Sequence, residues 1–282
     1  MDTPPPLPDV PKAVPGIAQS LALCALFLFV SVAVAAPLEL AKKFAGLPVD
    51  MFTSVLLQQI VAWPVALWAG HRWAKVAYHD TCPLTRFPLR NVPALLIAVF
   101  GASILLNELT TLLPQPELLR RVLVQGRLES SPLAFFLATV VLAPLGEELF
   151  FRGLVLRCYR ARYSTSKAIW ASAILFAAFH LNPWQAVGAL PIGLWSAWLV
   201  VRTGSLLPGI LVHVTVNVTD LYLLTPFIKA FGYTAEEVEA MTNQPAAAIS
   251  LGVVLAVGAG LLHWRQFPVR TLGLTAPTSQ TL

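Results

Sequence analysis

Long uninterrupted apolar blocks constrain the fold of this chain more than any other feature of its sequence. A helix needs about 20 apolar residues to cross the hydrocarbon core of a bilayer. Blocks near that length cover residues 17–38, 52–70, 92–113, 132–156, 185–202, 205–224 and 245–264, and a shorter block covers 168–181. Only 12% of the residues are charged, against about 25% in a soluble domain. The sequence therefore predicts an all-α, polytopic transmembrane bundle of about eight spans.

The predicted spans divide the chain into five segments. Residues 1–16 are proline-rich and predict a disordered amino terminus. The remaining segments are 17–131 with the first three spans, 132–224 with the polar motifs described below, 225–264 with a loop and the last span, and the polar tail 265–282. The first apolar block is too long for a signal peptide, so we expect a retained helix. The three cysteines follow no metal or redox spacing.

The net charge of +5 predicts an orientation in the membrane rather than nucleic-acid binding, because no basic strip interleaved with aromatic residues is present. Lys and Arg concentrate in cytoplasmic loops of membrane proteins. Twelve of them fall on the side of the predicted topology that holds both termini, and six fall on the other side. We therefore expect a cell-membrane protein with cytoplasmic termini. The block 168–181 is short for a full crossing, and a re-entrant segment there would reverse the carboxyl-terminal orientation.

Charged residues interrupt the fourth apolar block at GEELFFRG, residues 146–153. Ionisable groups inside a bilayer are costly and usually face a cavity or one another. Glu148 and Arg152 are four residues apart, so they share a helix face and predict an ion pair with a structural role. Glu147 lies on a different face and cannot share Arg152 as easily. This pattern predicts an unpaired carboxylate at Glu147, suited to general base or acid catalysis.

Polar groups of three predicted helices fall at one depth. Glu147, His180 and His213 each lie roughly 12–18 Å from the cytoplasmic end of their span, at about 1.5 Å of rise per residue. Asn217 follows His213 by one turn on the same face. Interhelical hydrogen bonding, worth about 0.6–2 kcal/mol per bond, would explain a lone polar residue. The convergence favours a site in which a carboxylate and a histidine activate a water, while a second histidine and an asparagine amide donate to an oxyanion.

Other interpretations of these polar residues remain open at this point. Glu147, His180 and His213 are also the residue types that bind zinc, although the helical zinc-protease signature HExxH is absent. No GxSxG nucleophile elbow is present either. A transporter would also carry Glu, His and Arg at mid-membrane. In a non-catalytic membrane scaffold the same groups would serve only as contacts between helices.

The ordered set of motifs resembles the CAAX-protease and bacteriocin-processing family (CPBP or Abi family) of intramembrane endopeptidases, which includes the type II CAAX prenyl endopeptidases. EELFFR at 147–152 fits the family motif EExxxR, FAAFH at 176–180 fits FxxxH, and HVTVN at 213–217 fits HxxxN. Each motif lies on a separate predicted helix, and the resemblance covers roughly residues 132–224.

The resemblance implies a role for each motif residue. It assigns water activation to Glu147 and His180 and the oxyanion site to His213 and Asn217. The supporting residues that orient Glu147 are Glu148 and Arg152. Family members have been described both with and without a metal. We expect no required cofactor, and a zinc ion, where one is needed, would take Glu147, His180 and His213.

The resemblance also implies a membrane-associated protein or peptide as the substrate, with the lipid bilayer as the other partner and no nucleic acid. The alanine-, proline- and leucine-rich composition is typical of a bacterial chain. Bacteria generally do not prenylate their own proteins, so the prenylated substrate of the eukaryotic members does not transfer directly. Processing of C-terminal sorting tails or of peptides is the expectation for a bacterial member.

The charge bias predicts that reporter fusions at residues 80, 163 and 282 will all report the cytoplasm. Paired cytoplasmic and periplasmic reporters at each position provide the measurement. A periplasmic signal at residue 163 would overturn the orientation, and with it the argument that the polar groups lie at one depth.

Overall fold

The computed structural model describes residues 14–76, 78, 83–84, 87–111, 113, 115–234, 237 and 244–266. Residues 1–13 of the predicted disordered terminus and residues 267–282 of the polar tail lie outside these ranges. The described helices are α1 (Ile17–Ala45), α2 (Met51–Ala74), α3 (Val92–Thr111), α4 (Glu117–Glu129), α5 (Pro132–Arg162), α6 (Thr165–Phe179), α7 (Pro183–Thr203), α8 (Leu207–Lys229) and α9 (Ala246–Gln266). Within the described ranges no strand occurs, and the predicted all-α fold is confirmed.

Six helices are long and apolar enough to cross a membrane, namely α1, α2, α3 with the turn before it, α5, α7 and α8. Two shorter apolar helices, α6 and the part of α9 from Ala246 to Gly260, complete a set of eight among the described residues. Large apolar side chains on the outer faces stay exposed, among them Phe29 at 72% and Val32 at 65%. Exposed apolar surface of this extent suits contact with lipid chains.

The amphipathic helix α4 was not predicted from the apolar blocks. None of its residues is buried, and Leu118 is 76% exposed. Arg127 fastens α4 to the bundle, because its guanidinium donates to the Leu221 carbonyl of α8 at 2.8 Å. The same guanidinium lies over the rings of Phe135 and Tyr222. Helix α4 therefore joins α3 to α5 along one end of the bundle.

Close packing at glycines brings the helices near the polar motifs together. A side chain at Gly146 of α5 would collide with the indole ring of Trp63 in α2. A Cβ at Gly101 of α3 would lie 2.6 Å from the Gly252 carbonyl of α9. Small residues at such contacts allow helix backbones to approach closely where no water drives association. Gly146, the residue before Glu147, thus lies directly against the indole ring of Trp63.

Asp50 links the beginnings of α2 and α5. Its carboxylate accepts hydrogen bonds from Thr53 N at 2.8 Å, the Thr53 hydroxyl at 2.7 Å and Ser131 N at 3.3 Å. Partial burial raises the pKa of this carboxyl, but the hydrogen bonds outweigh burial and lower the pKa from 3.8 to about 2. The ionised carboxylate is therefore the form that caps α2 and ties it to α5.

The lowered pKa of Asp50 predicts a stability loss in acid. The folded-state pKa lies below the unfolded one, so the contribution is complete above about pH 4 and is lost as the pH falls toward 2. Asp50→Asn keeps a capping oxygen without titrating and should lose less stability in this window. Thermal unfolding of both proteins in detergent at stepped pH provides the measurement. Parallel decline of the two Tm values would contradict the prediction.

Asp50→Ala removes the cap at every pH, so it should cost about 0.5–2 kcal/mol at neutral pH. Asp50→Asn removes only the charge of the cap, whereas Asp50→Ala removes the capping oxygen as well. The difference in stability between the two variants gives the contribution of the oxygen.

Candidate active site

Three histidine and glutamate side chains from α5, α6 and α8 converge on one point. Glu147 Oε2 lies 4.0 Å from His180 Nε2 and 3.8 Å from His213 Nε2. Glu147 is buried, and its Oε2 accepts no hydrogen bond from the described protein atoms. The structure thus brings together the residues that the sequence placed at one depth, and it leaves Glu147 Oε2 without a hydrogen-bond partner among the described residues.

The outer ring nitrogens fix the orientation of both histidines. His180 Nδ1 donates to the Phe176 carbonyl at 2.9 Å, and His213 Nδ1 lies 3.1 Å from Glu148 Oε1. A carbonyl and a carboxylate only accept hydrogen bonds, so each Nδ1 carries a proton. The Nε2 atom of each neutral ring is then an acceptor aimed at Glu147. Local contacts therefore fix Nε2 as the ring nitrogen of each histidine that faces Glu147.

Glu148 and Arg152 form the buried ion pair that their spacing predicted. Arg152 Nη1 lies 3.0 Å from Glu148 Oε1, and both side chains are 0% exposed. Arg152 Nη2 also donates to the Gly193 carbonyl of α7 at 3.4 Å. A Cβ at Gly209 would lie 2.8 Å from Glu148 Oε2, so the carboxylate sits at the amino end of α8, where the helix dipole favours negative charge.

Glu148 has a second partner that spacing along the sequence did not reveal. Its Oε1 is shared between Arg152 and His213, which lies 65 residues further along the chain. Glu148 therefore orients a histidine of the site as well as pairing with arginine. No local pattern signals this contact, because it depends on how α5 and α8 pack.

Phe176, the aromatic residue of the second motif, contacts Arg152 and the rings of both histidines. The Arg152 guanidinium lies 4.1 Å from its ring centroid. The rings of His180 and His213 stand nearly perpendicular to it, with centroids at 5.0 and 5.6 Å. Edge-to-face contacts and a cation over a ring face are both favourable. One side chain thus holds the two histidines against the ion pair.

The residue after His180 adopts a strained backbone. Leu181 has a φ of 52°, which a residue with a side chain adopts only at some cost. It ends α6 and allows Asn182 to cap α7, where Asn182 Oδ1 accepts from Trp184 N at 3.1 Å. The reversal keeps His180 at the very end of α6, with its ring facing α5.

Asn217 takes a contact that the sequence analysis did not anticipate. Its amide nitrogen donates to the Thr139 carbonyl of α5 at 2.7 Å. The side chain has a second N–H, which this bond leaves free. The structure therefore places Asn217 one turn from His213 on α8, bound to the helix that carries Glu147.

Within the described part of the chain, no group of three or more His, Cys, Asp or Glu side chains has the arrangement of a metal site. By chemical type, two imidazole Nε2 atoms and one carboxylate are nevertheless a set that zinc accepts. The Nδ1 contacts of both rings resemble the outer contacts of zinc-bound histidines.

The buried pair predicts that Arg152→Ala will damage folding as well as activity. The variant leaves Glu148 buried without its cation, a change that costs about 3–5 kcal/mol. Replacing both residues, as Glu148→Gln with Arg152→Gln, should recover part of that loss. Thermal unfolding provides the measurement. Arg121→Ala is the matched control, since Arg121 pairs with Glu117 on the surface and is 75% exposed, and it should leave Tm unchanged. A wild-type Tm for Arg152→Ala would contradict the pairing.

Comparison with family models supports the resemblance. Residues 117–219 match the family described as Rce1-like, type II CAAX prenyl endopeptidase Rce1-like. Comparison with curated proteins and with solved structures gives no match. The matched segment runs from α4 to the end of the third motif and contains every member of the cluster around Glu147. Over this segment the chain is similar to the type II CAAX prenyl endopeptidases, as its three motifs predicted.

Proposed function

We propose that this protein is an intramembrane endopeptidase that hydrolyses a peptide bond of a membrane-associated protein or peptide. The observation that carries the proposal is that His180 Nε2 and His213 Nε2 both lie within 4.0 Å of Glu147 Oε2. Glu147 and His213 belong to helices that are long and apolar enough to cross a membrane, and His180 ends the shorter apolar helix α6. Both Nδ1 atoms are engaged elsewhere, so the reactive nitrogens face the carboxylate.

Glu147 and His180 activate a water. Their separation of 4.0 Å is too long for a direct hydrogen bond and suits two groups that share one water. Glu147 takes one proton from the water, while His180 Nε2 accepts a hydrogen bond from the other O–H of that water. The hydroxide oxygen bonds to the scissile carbonyl carbon, and the carbonyl electron pair moves to its oxygen. Glu147 then gives the proton to the amine as the C–N bond breaks.

His213 and Asn217 stabilise the oxyanion. To donate from Nε2 while Nδ1–H faces Glu148, the His213 ring must carry two protons, and the Glu148 carboxylate then lies against a positive ring. Asn217 contributes the N–H that its bond to Thr139 leaves free. Two donors fixed by buried partners need little rearrangement when the charge develops, which is the property of an effective oxyanion site.

The same reaction scheme needs no metal. A catalytic zinc takes three protein ligands in most sites, and here Glu147, His180 and His213 are the three candidates. Ligation of all three would leave no base, because Glu148 is occupied by Arg152. We therefore propose Glu147 as the base and not as a ligand.

The substrate class follows from the family and the setting. The matching family is named for CAAX prenyl endopeptidases, which indicates a cleavage site close to a C-terminus that is anchored at the membrane. Mass spectrometry of membrane-protein C-termini, compared between cells with and without the gene, identifies natural substrates. Identical C-termini in both strains would count against a role in C-terminal processing.

Glu147→Gln and His180→Ala should each abolish cleavage in a protein that still folds. The assay uses the purified protein in liposomes with an internally quenched peptide that ends in a CAAX sequence, with and without a farnesyl group. Asn217→Ala should lower the rate by about 10²–10³ if it removes an oxyanion donor. A transporter or scaffold predicts no cleavage of either peptide by the wild type, and a scaffold also predicts a lower Tm for Glu147→Gln.

Chelators decide between the two forms of the mechanism. A strong chelator should leave peptide cleavage unchanged. Loss of activity that added zinc restores would make Glu147, His180 and His213 ligands and would overturn the metal-free scheme.

A further inference from the structure

Helix α5 leaves one backbone carbonyl without its usual partner, two turns before Glu147. Residues Leu137–Leu142 are π-helical, and Ala143 N donates to the Ala138 carbonyl in that register. The next residue in the same register is Pro144, which has no N–H to offer the Thr139 carbonyl. The Thr139 hydroxyl donates to the Phe135 carbonyl at 2.7 Å and so does not compensate. An unpaired backbone carbonyl inside a membrane helix is costly.

The side chain of Asn217 supplies the missing donor, because its Nδ2 lies 2.7 Å from the Thr139 carbonyl oxygen. We propose that Asn217 is a positioning residue whose amide replaces the backbone hydrogen bond that Pro144 removes, and thereby fixes the π-helical register that aims Glu147. The effect on catalysis rests on the proposed function, whereas the effect on register does not.

The register matters because Glu147 lies downstream of it. A π-helical turn holds one residue more than an α-helical turn, so loss of the π register rotates the following residues by about 100° around the helix axis. Such a rotation would turn the Glu147 carboxylate away from His180 and His213. A π-helical insertion in a functional helix is a recurrent way to aim a side chain. Because Asn217 and His213 share α8, one helix holds both the register and a histidine of the site.

The inference predicts coupling between Pro144 and Asn217, which lie on different helices. In Pro144→Ala the backbone gains an N–H that serves this turn of α5. Asn217→Ala should therefore lower Tm by about 2–4 °C in the wild-type background. The same substitution in the Pro144→Ala background should have less than half that effect. Pro191→Ala, at an internal proline of α7, is the matched control, and there the effect of Asn217→Ala should be undiminished.

The rate of peptide cleavage tests the catalytic half of the proposal. If the Asn217 contact only stabilised the fold, Pro144→Ala would not restore kcat. With the quenched farnesylated peptide, Pro144→Ala should raise kcat of the Asn217→Ala protein at least about tenfold with KM unchanged, because misplacement of a catalytic group by about 1 Å can cost about 10²-fold. The part of the loss that comes from the missing oxyanion donor should remain. Tm effects that add in the Pro144→Ala background would overturn the proposal. Recovery of Tm without recovery of kcat would show that the bond does not position Glu147 and would overturn its catalytic half.

Two further results keep the proposal separate from the proposed function. If the wild type cleaves no peptide, the proposed function fails, but the Tm comparison still decides whether Asn217 replaces the missing bond. If Pro144→Ala does not fold, hydrogen exchange by mass spectrometry on Asn217→Ala decides instead. Backbone amides of residues 141–147 should exchange faster than in the wild type while those of α7 stay unchanged, and equal rates in residues 141–147 would overturn the proposal.

Discussion

The buried carboxylate of Glu148 is the contact on which the rest of the site depends. Arg152 neutralises it from the next turn of α5, and His213 reaches it from α8. Arg152 in turn donates to the Gly193 carbonyl of α7 and lies over Phe176 of α6. Four helices thus meet around one ion pair. Buried pairs often add little net stability, so we interpret this one as a device that sets the relative positions of these helices.

Two adjacent glutamates have opposite environments for this reason. Glu148 is fully buried and its Oε1 is shared between Arg152 and His213, whereas Glu147 Oε2 lies no closer than 3.8 Å to either histidine. The neighbouring position along the helix is enough to separate them, because successive residues point about 100° apart. Charge that is already neutralised cannot act as a base, and an unpaired carboxylate facing two Nε2 atoms can. The sequence of two carboxylates therefore supplies one orienting group and one reactive group.

The sequence revealed those features that depend on local spacing or on segment length. Apolar blocks located the spanning helices, and the four-residue separation located the Glu148–Arg152 pair. It did not reveal that His213 contacts Glu148 or that Asn217 contacts Thr139, because both contacts depend on the packing of α5 against α8. The π-helical turns were not predicted from the sequence either, although Pro144 inside an apolar helix indicates that the hydrogen-bond pattern must change there. Helix α4 was missed because its mean hydropathy is low, and only its periodicity distinguishes it.

The amino-terminal helices carry no motif, yet they shape the site. Trp63 of α2 lies directly against Gly146, the residue before Glu147, and its ring packs on Phe27 of α1 with centroids 4.1 Å apart. Any side chain larger than hydrogen at Gly146 would displace this ring. The glutamate is therefore held from two directions. Trp63 limits the approach of α2 on one side, and the bond from α8 to Thr139 fixes the register of α5. A motif of six residues aims its carboxylate only because parts of the chain without any signature hold the helix that presents it.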